Sequence, residues 1–433
     1  MNNIKYYTIN EINEHNKEND IWISIKGKVY DITNFIHKHP GQANTLMNYA
    51  GKDATIPFTV FHPQYVSKYM LNKFYIGEQN DYEETELTKD FLSIYNEFYN
   101  IGLFNTNFTN YFYILLFLLS LLGSSIYFSF YDNLYIKLFG ASILGIYWQQ
   151  LALLGHDIGH NAFTLNRKFN YLFGLIGINP TLGISLGFWK YTHNIHHLVT
   201  NSIENDPDIQ HLPFIAVDNR EFSTYKSTFY NKIFKIDKFT KFLVSNQTYI
   251  SYPLILIFGR ISLYINSIIN ILTNNKIHYR KLDMLGMSIY TFLFSYLLYL
   301  TCNNTKQIIL YILVSHITAG ILNIQIILSH FSMHTYNNNV KSSDEWIKTQ
   351  INSSLNITNS LYMDWFHGGL NLQIEHHLFP RLSKYNLRIA QIYVINFCKK
   401  HNLKYNSMSF LDANIKTIKH LNKIAFDMKK IKI

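Results

Sequence analysis

The 433-residue chain predicts a multi-domain membrane protein: a small α+β domain followed by an all-α integral membrane domain of about four transmembrane helices, with interfacial helices and a cap on one side. Three observations predict this. Only 15% of the residues are charged, against about 25% in soluble chains, and the charges are missing in blocks. Four of those blocks are apolar for close to the length that crosses a bilayer. The first 80 or so residues contain no such block and mix polar with apolar residues.

Composition also excludes classes. With 48% hydrophobic and 16% aromatic residues, the chain is neither disordered nor fibrous. Cys302 and Cys398 are its only cysteines, so there is no disulfide framework and no thiolate metal site. The net charge of +10 is spread over membrane-flanking segments and the C-terminal tail. There the counter-charge is anionic lipid headgroup and not nucleic acid.

In chain order, residues 1–80 form the first domain, 81–100 an acidic linker that opens on DYEETELTKD, and 101–433 the membrane domain. The N-terminus lacks an apolar secretory signal, so the first domain is expected in the cytosol. Residues 109–130 and 134–154, broken at Asp132 and Asn133, read as one transmembrane hairpin. Residues 285–301 and 307–329 read as a second, joined by TCNNTK. If each hairpin crosses and returns, the N-terminal domain and the segments after Leu154 and Leu328 share the cytosolic face. The stretch 249–272, interrupted by Arg260, must then lie in the interface or dip back.

Within the first domain, WISIKGKVYDITNF alternates as a half-buried strand does and leads to a turn at His37-Lys38-His39-Pro40-Gly41. His62 follows in VFHPQYV. Two neutral imidazoles on opposite faces of a haem give a saturated iron that passes single electrons and binds no oxygen. The run Val29-Tyr30-Asp31-Ile32-Thr33, the HPG turn, Ala50-Gly51-Lys52-Asp53-Ala54-Thr55, Phe61-His62 and the closing Phe74-Tyr75-Ile76-Gly77 resemble cytochrome b5 in order and extent. That resemblance implies haem b held by His39 and His62. Gln42 departs from it, since the family usually has a second glycine there.

Three histidine groups stand at the ends of apolar segments. His156 and His160 (HDIGH) are four apart on one helix face, His193, His196 and His197 (HNIHH) follow i, i+3, i+4, and Gln373, His376 and His377 (QIEHH) repeat that spacing with Gln in first place. Seven neutral imidazoles suit iron, copper or zinc and exceed what one metal uses, so two metals are implied.

These boxes lie in order with Phe188-Trp189-Lys190 before the second, Asn205-Asp206-Pro207-Asp208 after it, and Asp364-Trp365-Phe366-His367-Gly368-Gly369-Leu370-Asn371 before the third. Residues 100–390 thereby resemble the membrane fatty acid desaturases, specifically the front-end group with a fused cytochrome b5 domain, in which the third box begins with Gln. The resemblance implies two non-haem irons held by His156, His160, His193, His196, His197, His376 and His377, with His330 of LSHFSMH as an eighth ligand in preference to His334. It leaves Gln373 either an amide-oxygen ligand or an outer group, Asp157 and Glu375 either acceptors that orient imidazoles or solvated carboxylates, and His211 and His367 without a role. It also implies O2 as co-substrate, an acyl-lipid or acyl-CoA substrate, NADH-cytochrome b5 reductase as electron source, and an endoplasmic reticulum membrane location with the boxes cytosolic. The double bond would enter at position 4, 5, 6 or 8. A sphingoid long-chain-base 8-desaturase and a membrane lipid hydroxylase are the rival readings.

Overall fold

Residues 4–274, 277–337 and 340–432 are described by the computed structural model. In the first domain, the stretch expected as one alternating strand is a hairpin. Lys26 and Gly27 both take positive φ, 52° and 72°, the signature of a primed two-residue turn, and fold strand Asp20–Ile25 back on Lys28–Asp31 with Trp22 opposite Asp31 and Ile25 opposite Lys28. Period-2 alternation continues through such a turn, so the pattern alone reads as one strand. The sheet runs Tyr6–Tyr7, Tyr75–Gln79, Lys28–Asp31, Asp20–Ile25, Asn16–Lys17, with Lys52–Asp53 beside Asp20–Ile25. Short helices close over it and end at the two histidines: His39 caps the 3-10 helix Thr33–Lys38, and His62 caps the helix Thr55–Phe61.

The segment expected as a linker is a helix over most of its length, Glu86–Asn100. Its acidic residues concentrate at the start, whereas Leu87, Phe91, Leu92, Tyr95 and Phe98 form a buried stripe at helical spacing. Phe91 stacks on Phe379 at 5.0 Å between ring centroids. Thr85 and Thr88 donate from Oγ1 to Asp344 at 2.6 and 2.7 Å, fixing the helix start.

Among the described residues, four helices are long and apolar enough to cross a membrane: Phe108–Ser129, Leu134–Gly159, Arg280–Thr301 and Thr305–Leu328. The second is central, packed between the first and the fourth. Small residues permit that approach: a Cβ on Gly140 would meet the Ser125 carbonyl oxygen at 2.9 Å, and one on Gly145 would meet Thr318 Cβ at 2.5 Å. The second span continues as a helix beyond Leu154 to Gly159, as the spacing of the first box predicts, which places His156 in its last turn and His160 at its cap.

A fifth membrane-length element was not legible in the sequence. Helical segments Arg167–Leu182 and Leu186–Leu198 are together as long and as apolar as a span but bend by 106°. Gly183, at φ 74°, makes the bend. Asp283 of the third span holds it by accepting from Ser185 Oγ, from the Gly187 amide at 3.1 Å and from Asn179 Nδ2 at 2.5 Å. The stretch 249–272 forms the helix Ser251–Thr273. Arg260 does not face outward from it: the guanidinium lies 4.2 Å from the Trp148 ring centroid and donates to the Leu182 carbonyl at 2.6 Å. An aromatic face and a carbonyl thus receive the charge inside the bundle.

The N-terminal domain is seated on the end of the bundle that carries the histidine boxes. Tyr49 donates to the Leu198 carbonyl at 3.3 Å, Asn44 to the Tyr191 hydroxyl at 2.9 Å, and Ser343 to Asp53 at 2.5 Å. Gln42, at φ 69° where glycine is usual, accepts from Asn274 Nδ2 at 3.2 Å. Its side chain thus engages the other domain.

Gly145→Val places branched carbons where the fourth span's backbone lies and is expected to destabilise the bundle by about 1–3 kcal/mol. Thermal unfolding of the detergent-solubilised chain checks this; an unchanged midpoint would contradict the close packing.

Candidate metal centre

The second span delivers His156 and His160, the second arm of the bent pair delivers His193, His196 and His197, and the short helix Gln373–Leu378 delivers His376 and His377. Trp189 binds the first two boxes together. A Cβ on Gly159 would meet its ring at 1.9 Å, so only glycine lets Trp189 lie within 5.4 Å of both His156 and His160.

The histidines form two adjoining groups. His156, His160, His193 and His376 have ligand atoms within 4.8 Å of one another, as do His196, His330 and His377. His197 lies between the groups, with ring centroids 4.1 Å from His377 and 4.5 Å from His160, and its Nε2 is 3.2 Å from that of His193. His330 therefore stands inside the second group, whereas His334 is exposed. Gln373 is buried at the head of its helix. His211 and His367 belong to neither group; the His367 ring is beside the Gln325 amide and His211 bonds to the Asp208 carbonyl.

The partners of these rings set their tautomers. His196 donates from Nδ1 to Asp206 at 2.8 Å, His193 to Asp208 at 3.2 Å, His330 to the Ser353 carbonyl at 3.0 Å, and His377 to Gln350 Oε1 at 3.0 Å. An oxygen acceptor at Nδ1 requires the proton there and leaves Nε2 with its lone pair for the cluster. The expectation for Asp157 and Glu375 is overturned. Asp157 accepts from Tyr111 at 2.8 Å, and Glu375 from Asn356 and Tyr405 at 2.7 Å, so both brace the scaffold rather than an imidazole. The orienting carboxylates are Asp206 and Asp208, on the loop directly after the second box. Their proximity in sequence to His196 was the available signal.

Burial, reinforced by neighbouring imidazoles, holds His197, His376 and His377 well below the ordinary histidine range, and burial does the same to His330. Burial also pulls His196 down, but Asp206 and Asp208 outweigh it and leave His196 raised. Among the described residues, Nε2 of His156, His160, His376 and His377 and Nδ1 of His197 are buried without a hydrogen-bond partner. Neutral rings with orphaned lone pairs, converging from three helices, fit two metal ions and fit no purely structural polar network.

The second histidine pair lies close by. The rings of His39 and His62 are 6.0 Å apart, walled by Phe35, Phe58 and Phe74. His62 donates from Nδ1 to the Phe58 carbonyl at 3.0 Å, freeing Nε2, and His39 Nδ1 is buried without a partner. Burial brings His39 to about 4 and His62 to about 3, with the Arg167 charge adding to both, so both rings are neutral at physiological pH. A Cβ on Gly41 would meet the His39 ring at 2.8 Å, which explains the glycine of the HPG turn. These features fit a haem held through two imidazoles. Phe61, next to His62, places its ring edge-on 6.4 Å from His197, so one aromatic side chain separates the two sites.

Residues 8–80 match the family model described as "Cytochrome b5-like Heme/Steroid binding domain", and residues 133–409, well over half the chain, match "Fatty acid desaturase". A "Delta(8)-fatty-acid desaturase" of Helianthus annuus is 38% identical over 99% of this chain and 93% of its own length. An "Acyl-lipid (9-3)-desaturase" of Borago officinalis is 37% identical over 99% and 95%. A "Delta 8-(E)-sphingolipid desaturase" of Kluyveromyces lactis is 38% identical over 78% of this chain and 59% of the relative. With identity of this level along the whole chain, and with Gln373 heading the third box, the chain belongs to the fatty acid desaturase family, as a front-end desaturase with its own N-terminal cytochrome b5 domain.

Proposed function

We propose that the enzyme is an O2-dependent front-end desaturase that inserts a cis double bond into an acyl chain between an existing double bond and the carboxyl end, using electrons delivered through its cytochrome b5 domain. The observation that carries this reading is the pair of adjoining imidazole groups with the His62 peptide docked one aromatic ring away. The recurrence of position 8 in the names of its relatives makes that position the first to test among 4, 5, 6 and 8. The sphingolipid relative supports a second reading, a sphingoid long-chain-base 8-desaturase. NADH-cytochrome b5 reductase would feed the haem, and the boxes would face the cytosol from the endoplasmic reticulum membrane.

A saturated methylene offers neither an acidic proton nor a leaving group, so side-chain acid–base chemistry cannot oxidise it. Two irons bound by His156, His160, His193, His196, His197, His330, His376 and His377 would supply the reduction of O2: two hydrogens from the chain, two electrons from the haem and two protons give an alkene and two waters. The protein's own work is orientation. Asp206 and Asp208 keep the proton of His196 and His193 on Nδ1, and the Ser353 carbonyl and Gln350 do so for His330 and His377, which leaves the Nε2 lone pair of these four rings for a metal. Lys190 donates to the Gly159 carbonyl and so ties the second box to the first.

Three outcomes test the reading. Expressed in a host without polyunsaturated lipids and fed a panel of acyl chains and ceramides, the enzyme yields alkenes whose position mass spectrometry assigns; hydroxylated products would favour a hydroxylase, and unsaturated long-chain bases the second reading. His39→Ala or His62→Ala abolishes desaturation unless separate cytochrome b5 is supplied, and full activity without either would refute the electron route. Asp206→Asn lowers iron per chain and activity by roughly 10–100-fold, read by elemental analysis and product yield; full iron loading would remove Asp206 from the orienting role.

A further inference from the structure

Two guanidinium groups flank the His39–His62 pocket without an anion of the chain to balance them. Arg167 follows the first box and donates from Nη2 to the Phe61 carbonyl at 2.5 Å. Arg381 follows the third box, donates from Nη1 to the His62 carbonyl at 3.0 Å, and lies 5.6 Å from the Phe104 ring centroid. Arg381 is only 6% exposed, and its Nε is buried without a hydrogen-bond partner. Among the described residues neither arginine forms an ion pair; the arginine pairs that do form are Arg220 with Asp218 and Arg388 with Asp364. The two charges repel each other, and that of Arg167 reaches both His39 and His62.

Carbonyl oxygens satisfy individual N–H groups but leave two neighbouring positive charges, Arg381 buried and Arg167 half-buried, without a counter-ion. Such an arrangement is costly until an anion joins it. The guanidinium fork matches a carboxylate in geometry as well as charge. The group that the histidine pair is suited to hold, haem b, carries two carboxylates.

We propose that Arg167 and Arg381 bind the propionate carboxylates of the haem, so that the desaturase domain completes the cofactor site of the domain docked on it. This rests on the reading that His39 and His62 hold haem. Neither arginine lies in the cytochrome b5 segment, so haem retention becomes a property of the docked, full-length chain.

The test uses the full chain in detergent, stripped of haem and reconstituted with protohaem or with its dimethyl ester, whose propionates carry no charge. Haem loss to excess apomyoglobin is followed by the Soret band. The wild-type chain should lose the ester roughly tenfold faster than protohaem. In the Arg167→Gln, Arg381→Gln double variant protohaem should leave at the ester's rate, with the ester's own rate unchanged. Equal loss of both haems from the wild-type chain, a comparison that needs no variant, overturns the proposal and leaves another carboxylate, such as that of a free acyl chain, as the anion. A double variant that sheds both haems faster by the same factor also overturns it, because the arginines then act only through the fold. A wild-type chain that takes up neither haem with a bis-imidazole spectrum overturns the haem reading itself.

Discussion

Nε2 of His156, His160, His376 and His377 is buried at one end of the helix bundle without a hydrogen-bond partner among the described residues, and His193 and His197 bring their own Nε2 atoms within 3.2 Å of each other. Each buried nitrogen left unsatisfied costs about 1–3 kcal/mol, and several lone pairs aimed at one another add repulsion. Nδ1 of His193, His196, His330 and His377 is already committed to Asp208, Asp206, the Ser353 carbonyl and Gln350, so in these rings only Nε2 is left to face the cluster. Metal ions seated in the two groups relieve it. The architecture follows from the need to bring these rings together: three separate stretches of chain must end at one place, and each is held by packing that only small residues or a bend allows.

That explains why backbone irregularity concentrates around the cluster. Gly183 breaks the membrane-length segment that carries the second box, and Asp283, itself fully buried, is used to hold the break. Gly159 gives up its side-chain volume to Trp189. Gly368 and Gly369, at φ 55° and 93°, turn the chain just before the third box. Each irregularity is a local cost accepted where the histidines have to be aimed.

Much of this was legible in the sequence, and the illegible parts share a cause. The four spans, the three boxes and the paired histidines of the first domain are local patterns, readable from spacing and hydropathy. His330 could be chosen over His334 because it follows the fourth span directly. By contrast, Asp157 and Glu375 sit inside their boxes and seemed the natural orienters, yet a helix turns them away from the imidazoles at i±1, toward Tyr111 and toward Asn356 and Tyr405. Asp206 and Asp208 reach back to His196 and His193 only because the chain reverses after Leu198. The helix Glu86–Asn100 was masked by acidic residues that mark its start, and Arg260 read as an interruption of its apolar stretch, whereas Trp148 and the Leu182 carbonyl receive its charge within a continuous helix. Tertiary partners decided each case.

The fusion of the two domains follows the same logic as the cluster. A tether alone raises the local concentration of an electron donor to about the millimolar range, but it does not choose which surface faces the acceptor. Here the choice is made by hydrogen bonds to backbone: Arg167 and Arg381, which flank the desaturase boxes, seize the carbonyls of Phe61 and His62, while Tyr49 donates to the carbonyl of Leu198, next to His197. Main-chain carbonyls cannot swing as side chains do, so these contacts fix the His62 peptide itself against the box-bearing helices. They are also short-ranged and mostly shielded from solvent, so salt screens them far less than it screens the surface charge pairs that steer separate proteins together. A free donor must be steered and released on each cycle. A donor held by its own ligand-bearing peptide needs neither, and the single ring of Phe61 between His62 and His197 is the distance that such an arrangement keeps constant.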